Sequence, residues 1–284
     1  MQDTSTLKDA SRGRRALALA RAMTLALPAA ALAQSGPGGL DQRTWLSLQM
    51  QSASIHSSSY EAGYATGQLS RVQNEDDLGV PGRASVPGLA FGRRIGERWR
   101  IEVDGTAFRR SRTTVLGRDL DLDGPIFAAG SSVRTEVFVN TWRVSGGWSF
   151  IKSDESEVGV LIGGQNVHLT THIDGSSSAG PGSPATPTQR ELSNNGLVPA
   201  VGLYGQHSLT DAWTLTGHLD VALQEKYTRL SVGALWRMTP NLGLGLGWSH
   251  TESRFDITTV FIGVSRDVLS YRASGPQLTL TASF

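Results

Sequence analysis

The 284-residue sequence contains no cysteine, which excludes a disulfide framework and any thiolate metal site. It also lacks a basic stripe. Lys8, Arg12, Arg14, Arg15 and Arg21 crowd the beginning, and setting residues 1–33 aside leaves 21 basic against 23 acidic side chains, a formal charge of −2. Nucleic acid is therefore not an expected partner. After residue 33 no apolar run approaches the roughly twenty residues that a transmembrane helix needs. A bilayer accepts only helices or closed barrels, because no other backbone leaves its polar groups paired in hydrocarbon.

The opening segment reads as a signal peptide over 1–33. Its basic residues precede the Ala/Leu-rich stretch Met23 to Ala33, which closes on Ala31-Leu32-Ala33 before Gln34. An apolar stretch of about a dozen residues is too short to anchor and fits a segment removed on export. Arg14-Arg15 is ordinary in a basic leader. Residues 34–284 remain for the folded part, and their dominant signal is alternation. Trp213, Leu215, Gly217, Leu219, Val221 and Leu223 fall on one face of a strand, with Thr214, Thr216, His218, Asp220, Ala222 and Gln224 on the other. One face suits lipid and the other water. Trp99, Ile101, Val103 and Ala107 alternate in the same way with Arg100, Glu102, Asp104 and Thr106.

Further segments repeat the pattern: Leu230 to Met238, Leu242 to Trp248, and Phe138, Trp142, Val144, Trp148 and Phe150. Tight turns are expected at Gly96-Glu97-Arg98, Thr210-Asp211-Ala212 and Thr239-Pro240-Asn241, with a charged one at 151–157. Long outer loops are expected at 56–84, 110–134 and 171–196, the last containing the Gly/Ser/Pro-rich run 175–188. Short turns at one end and long loops at the other are the habit of outer-membrane barrels. The expected fold is all-β: a transmembrane antiparallel up-and-down β-barrel of about ten strands, with eight and twelve as the neighbouring counts. Ten strands put both termini on the periplasmic side. The segments 85–95, 157–170 and 197–209 alternate too irregularly for their outward faces to be assigned.

Trp99, Trp213 and Trp236 adjoin tight turns, as interfacial aromatics do. The last segment places Leu278, Leu280, Ala282 and Phe284 on one face and finishes on an aromatic residue. With a signal peptide and an alternating final strand, Leu278, Leu280 and Phe284 read as an assembly signal for the barrel-assembly machinery. On Glu75-Asp76-Asp77-Leu78-Gly79, Leu197-Val198-Pro199-Ala200-Val201-Gly202 and Ser274-Gly275-Pro276-Gln277-Leu278, the chain resembles a family of Gram-negative outer-membrane β-barrel proteins of the porin-like or opacity-type small-barrel kind. That resemblance implies a fold and an outer-membrane location, and it carries no established activity.

Seven polar residues are expected to line the lumen: Arg100, Glu102, Asp104, Arg143, His218, Asp220 and Arg237. Mixed charge in a narrow barrel suits a largely closed lumen, with slow passage of small solutes or ions as the open alternative. As a reactive constellation, Ser249, His250, Glu252 and Asp256 are the best candidates, since His250 and Glu252 share a face and can pair as base and orienting acid. That face has the parity of Leu244, Leu246 and Trp248, so these residues are expected to project past the membrane into solvent. His168 and His172 lie about 13 Å apart in an extended strand, too far to share a metal. His207 and Ser208 point to opposite faces. The acidic stretch Asn74 to Asp77 is taken as a solvated loop rather than a cation site. The expectation is an integral outer-membrane barrel of structural or porin-like type. It is expected to be no enzyme, to use no cofactor or metal, and to have outer-membrane lipid and lipopolysaccharide as partners. The alternatives are an outer-leaflet hydrolase or acyl-modifying enzyme, and a loop-based adhesin or receptor.

Overall fold

The computed structural model describes residues 43–62, 69–121, 126–177, 186–222, 226–258 and 266–284. The segment read as a signal peptide, 1–33, lies outside them, as do 178–185 of the Gly/Ser/Pro-rich run. Among the described residues there are thirteen strands: β1 Thr44–Ala62, β2 Leu69–Gln73, β3 Arg83–Ile95, β4 Trp99–Val115, β5 Leu120–Asp121, β6 Ile126–Phe127, β7 Ser132–Lys152, β8 Ser156–Ser177, β9 Thr186–Ser208, β10 Trp213–Ala222, β11 Lys226–Thr239, β12 Leu242–Thr258 and β13 Arg266–Ser283. All except β2, β5 and β6 form one antiparallel barrel of ten strands in which β13 returns to β1. Thr44 and Phe284 exchange backbone hydrogen bonds of 2.9 Å at the closing seam. The short β2 extends the sheet beside the far end of β1, and β5 and β6 make a separate hairpin.

The tight connections fall where the sequence puts them. Gly96 adopts φ +65° in the β3–β4 turn, a conformation that costs a side-chain-bearing residue about 1–2 kcal/mol. Thr44 and Phe284, at the two ends of the closing seam, lie at this short-turn end, which is periplasmic in barrels of this kind. The long loops are a different matter. Seven strands run 17 to 23 residues, whereas about 9–11 tilted residues cross the hydrocarbon. Much of 56–84, 110–134 and 171–196 is therefore strand rather than loop: β1 continues to Ala62, β4 to Val115, and β8 and β9 pair from Ser156–His207 out to Ser177–Thr186.

The surplus length has its own chemistry. Side-chain parity is constant along each strand, yet the polarity of the two faces exchanges partway up. In β7 the outward face runs from Trp148, Val144 and Trp142, through Asn140 and Phe138, to Glu136 and Arg134, while the inward face runs from Ser149, Ser145 and Arg143 to Val139, Val137 and Val133. In β13 the outward Leu280 and Leu278 give way to Ser274 and Arg272, and the inward Thr279 and Gln277 to Ala273 and Tyr271. β1 and β8 repeat the exchange. Near the periplasm the outside is apolar and the inside polar. Towards the other end the outside is polar and the inside is a packed core.

That exchange accounts for the three irregular segments. Leu89, Phe91 and Ile95 face outward from β3, Val160 and Ile162 from β8, and Leu197 and Leu203 from β9. Their alternation is blurred because Val86, Leu161, Val167, Leu169, Val198 and Ala200 are apolar on the inner face too.

Candidate functional site

The lumen divides into two storeys. The upper one is filled by Phe108, Val133, Val137, Val139, Leu169, Ile173 and Tyr271 from the wall, and by Leu78, Val80, Leu116 and Phe127 from connecting segments folded into the mouth. Leu78 and Phe127 have no exposed surface at all, and burying each side chain contributes roughly 1.5–3 kcal/mol. A polar clasp holds the 74–82 turn in place. The Glu75 carboxylate accepts from the backbone N of Ser57 at 2.8 Å, from Ser57 Oγ at 2.9 Å and from Arg110 at 2.8 Å. Buried Asn74 donates to Ser57 Oγ at 2.9 Å. Arg110 also donates to the Pro81 carbonyl at 2.9 Å. Asp77 accepts from the Gln73 backbone and from Arg118. The acidic stretch is thus engaged in protein contacts, and among the described residues no metal-holding cluster is found.

The lower storey holds the charges. Arg143 lies at the centre. It donates from Nε to Asp104 at 3.0 Å, and its terminal nitrogens lie 3.0 Å from Asp220, 3.3 Å from Glu102 and 2.7 Å from His218 Nε2. Arg229 reaches Asp104 from the opposite wall at 2.8 Å, and His218 Nε2 lies 2.9 Å from Asp220. Arg100 pairs with Glu102 at 2.6 Å and stacks over the Tyr204 ring. Nearer the periplasm, Arg94 meets Glu157 with two hydrogen bonds, and Ser149 and Gln206 also donate to that carboxylate. Two glycines make room for this network. A Cβ on Gly159 would come within 2.3 Å of Tyr204, and one on Gly202 within 2.3 Å of Asp220.

Four arginines therefore face four carboxylates, and their formal charges cancel. Beside it lies a chamber of about 300 Å³ reaching from Trp45 and Ser283 to Arg229, room for about ten waters. A smaller void of about 40 Å³, lined by residues including Gln51, Thr141, Gln165 and Tyr227, separates the chamber from the apolar core.

Of the seven residues expected in the lumen, the structure brings Arg100, Glu102, Asp104, Arg143, His218 and Asp220 together. Arg237 keeps the inward parity but stands at the periplasmic rim, beside the β11 irregularity between Arg237 and Thr239, with its backbone N donating to Ala212 at 2.8 Å. Sequence reasoning missed Arg94, Glu157, Tyr204 and Arg229. Arg229 shares the parity of Arg237 and was readable, whereas Glu157 was assigned to a turn and Arg94 lay on a strand with no assignable face. Leu278, Leu280 and Phe284 all face outward and are exposed.

The outer wall carries the other expected residues. His250 and Glu252 face outward above Trp248, and the register sets Ser274 of β13 opposite His250. Ser274 Oγ lies 2.5 Å from His250 Nδ1, His250 Nε2 lies 3.8 Å from Glu252, and Glu252 accepts from Arg272 at 3.0 Å. Ser249 faces inward and is not part of this group. The side chain of Asp256 lies outside the described residues. His168 and His172 also face outward, beside Thr170 and Glu191. His207 bonds not to Ser208 but to Ser156, its cross-strand partner, at 2.8 Å.

A closed antiparallel barrel with an apolar outer belt is an outer-membrane β-barrel, and the chain has that fold and that location. No family model and no curated protein matches the sequence. Among solved structures it is similar to the outer membrane protease OmpT from Escherichia coli, at 11% identity and TM-score 0.58, covering 88% of this chain and 99% of that one. The translocator domain of the autotransporter NalP from Neisseria meningitidis aligns at 12% identity and TM-score 0.44 over 99% and 98% of the two chains. The first of these overturns one expectation. The sequence was read as that of a non-enzyme, but the barrel fold is shared with a protease, so the fold does not separate passive barrels from enzymes.

Proposed function

We propose that this chain is an outer-membrane barrel of structural type, sealed against solute flow, which anchors a folded extension at the cell surface. The observation that carries the reading is the filled upper storey: Leu78, Val80 and Phe127 are packed against the barrel wall across the route that a solute would take. The lower storey supports it. A chamber whose charges cancel carries no net charge to favour ions of one sign, and charged pairs held with this many hydrogen bonds are costly to separate. In this reading the apolar belt meets outer-membrane lipid and the polar extension meets lipopolysaccharide. The outward Leu278, Leu280 and Phe284 present the final strand to the assembly machinery. The test is ion conductance of the refolded protein in planar bilayers. Silence from protein that still migrates as a folded barrel on unheated gels is the expected outcome, and stable conductance steps contradict it.

A further inference from the structure

Outside the lumen, one cluster has the ordering of a hydrolytic relay. Ser274, His250 and Glu252 lie on the outward faces of adjacent strands β13 and β12, and form a chain of hydroxyl, imidazole and carboxylate. The seryl Oγ is within hydrogen-bond reach of one ring nitrogen. The other nitrogen faces the acid at 3.8 Å, a distance that catalytic groups commonly show before substrate tightens them. Here Nδ1 faces the serine and Nε2 the acid, the reverse of the commoner order in Ser-His-Asp enzymes. An imidazole transfers a proton through either nitrogen.

The position is as informative as the chemistry. Trp248 is the register neighbour of Pro276, one outward step below His250 and Ser274, and Leu246 pairs with Leu278 one step further down. Each step of two residues rises about 7 Å. The hydroxyl therefore sits at the upper edge of the apolar belt, where lipid gives way to water. Leu230, the β11 partner of His250, is exposed beside it, and Arg272 lies one step above Ser274 on the same face. A group placed here meets lipids at the level where their acyl chains join their polar heads.

We propose that Ser274, His250 and Glu252 form an esterase site on the outer wall of the barrel, acting on the acyl esters of outer-leaflet lipids. This goes beyond the sealed-barrel reading and does not depend on the lumen. Ser274 Oγ attacks the ester carbonyl carbon as His250 takes its proton. The tetrahedral intermediate then breaks its bond to the alcohol oxygen, which leaves with the proton from His250. Water, deprotonated by the same imidazole, cleaves the seryl ester to release a fatty acid and restore the hydroxyl, so one ester and one water give one acid and one alcohol. Ser274 and His250 are the catalytic residues. Glu252 is a positioning residue that orients the ring and stabilises its charged form, and Arg272, which donates to Glu252, holds that carboxylate in place.

The test uses the refolded full chain with vesicles of phosphatidylethanolamine, and separately with vesicles containing lipopolysaccharide. Released fatty acid is identified by mass, unhydroxylated chains reporting phospholipid and 3-hydroxylated chains reporting lipopolysaccharide. A fluorophosphonate probe reports the nucleophile directly. The expected result is release from at least one vesicle type and labelling of Ser274. Ser274→Ala and His250→Ala should lower release by at least about 100-fold while still migrating as folded barrels. Glu252→Gln should lower kcat about tenfold with KM unchanged, and Glu252→Asp should recover part of the loss. The proposal is overturned if folded protein releases no fatty acid from either vesicle, if Ser274→Ala is as active as the parent, or if the probe labels another residue. Conductance is independent of all these outcomes, so failure here leaves the sealed-barrel reading standing.

Discussion

The two storeys of this barrel are built from the same strands and obey opposite rules. In the lower storey the solvent on the outside is hydrocarbon, so Trp148, Val144, Leu278 and Leu246 face out and Arg143, Asp104 and Asp220 face in. In the upper storey the outside is water, so Glu136, Arg134 and Arg272 face out and Val137, Ile173 and Phe127 face in. One half is a membrane protein and the other a soluble β-barrel with a hydrophobic core. The lesson is that the level of the exchange marks where the outer leaflet ends, and that each storey is stabilised by a different force and fails in a different way.

The largest expected effect separates the storeys most sharply. Val137→Asp puts an unpaired carboxylate into the apolar core and should destabilise the upper storey by more than about 3 kcal/mol. Limited proteolysis would then cut within β7–β8 above the belt, while the lower barrel stays protected by detergent. Protection of the whole chain would show that the upper storey is not a core. Asp104→Ala acts below, leaving Arg143 and Arg229 without a shared carboxylate, and should cost about 3 kcal/mol in guanidinium unfolding. A double variant adding Arg229→Ala should recover part of that loss. Glu75→Ala loosens only the clasp, costing about 1–3 kcal/mol locally, and should make the 74–82 turn a new cleavage site with little change in global unfolding. Arg118→Ala, which removes the exposed partner of Asp77, should shift stability by less than about 1 kcal/mol.

The same comparison explains what was legible in the sequence. The lower storey announces itself: Trp213 to Val221 and Trp99 to Val103 alternate cleanly because lipid and water lie on opposite sides, which pointed to about ten strands with eight and twelve open, and six of the seven residues assigned to the lumen by that parity meet in one network. The upper storey hides, because the outward His172 and Asp174, followed by Gly175 and Ser176, resemble a loop when Ile173 is the one large apolar residue between them. Arg237 was placed by parity alone, and parity says nothing of height, which put it at the rim instead of in the network. The Ser274–His250 pair needs the register of β12 against β13. Sequence shows that His250 and Glu252 share a face, but a slip of two residues would set Arg272 or Pro276 opposite His250 instead.

The central claim is the exchange of faces, and the absence of cysteine from the sequence makes it directly measurable. Single cysteines placed at the outward β7 positions 134, 136, 140, 142, 144 and 148, each carrying a nitroxide in lipid vesicles, report oxygen access in hydrocarbon and nickel-chelate access in water. Hydrocarbon access is expected at 142, 144 and 148 and water access at 134 and 136, with the crossover at 140, next to the outward Phe138. Hydrocarbon access continuing unbroken to 134 would contradict it.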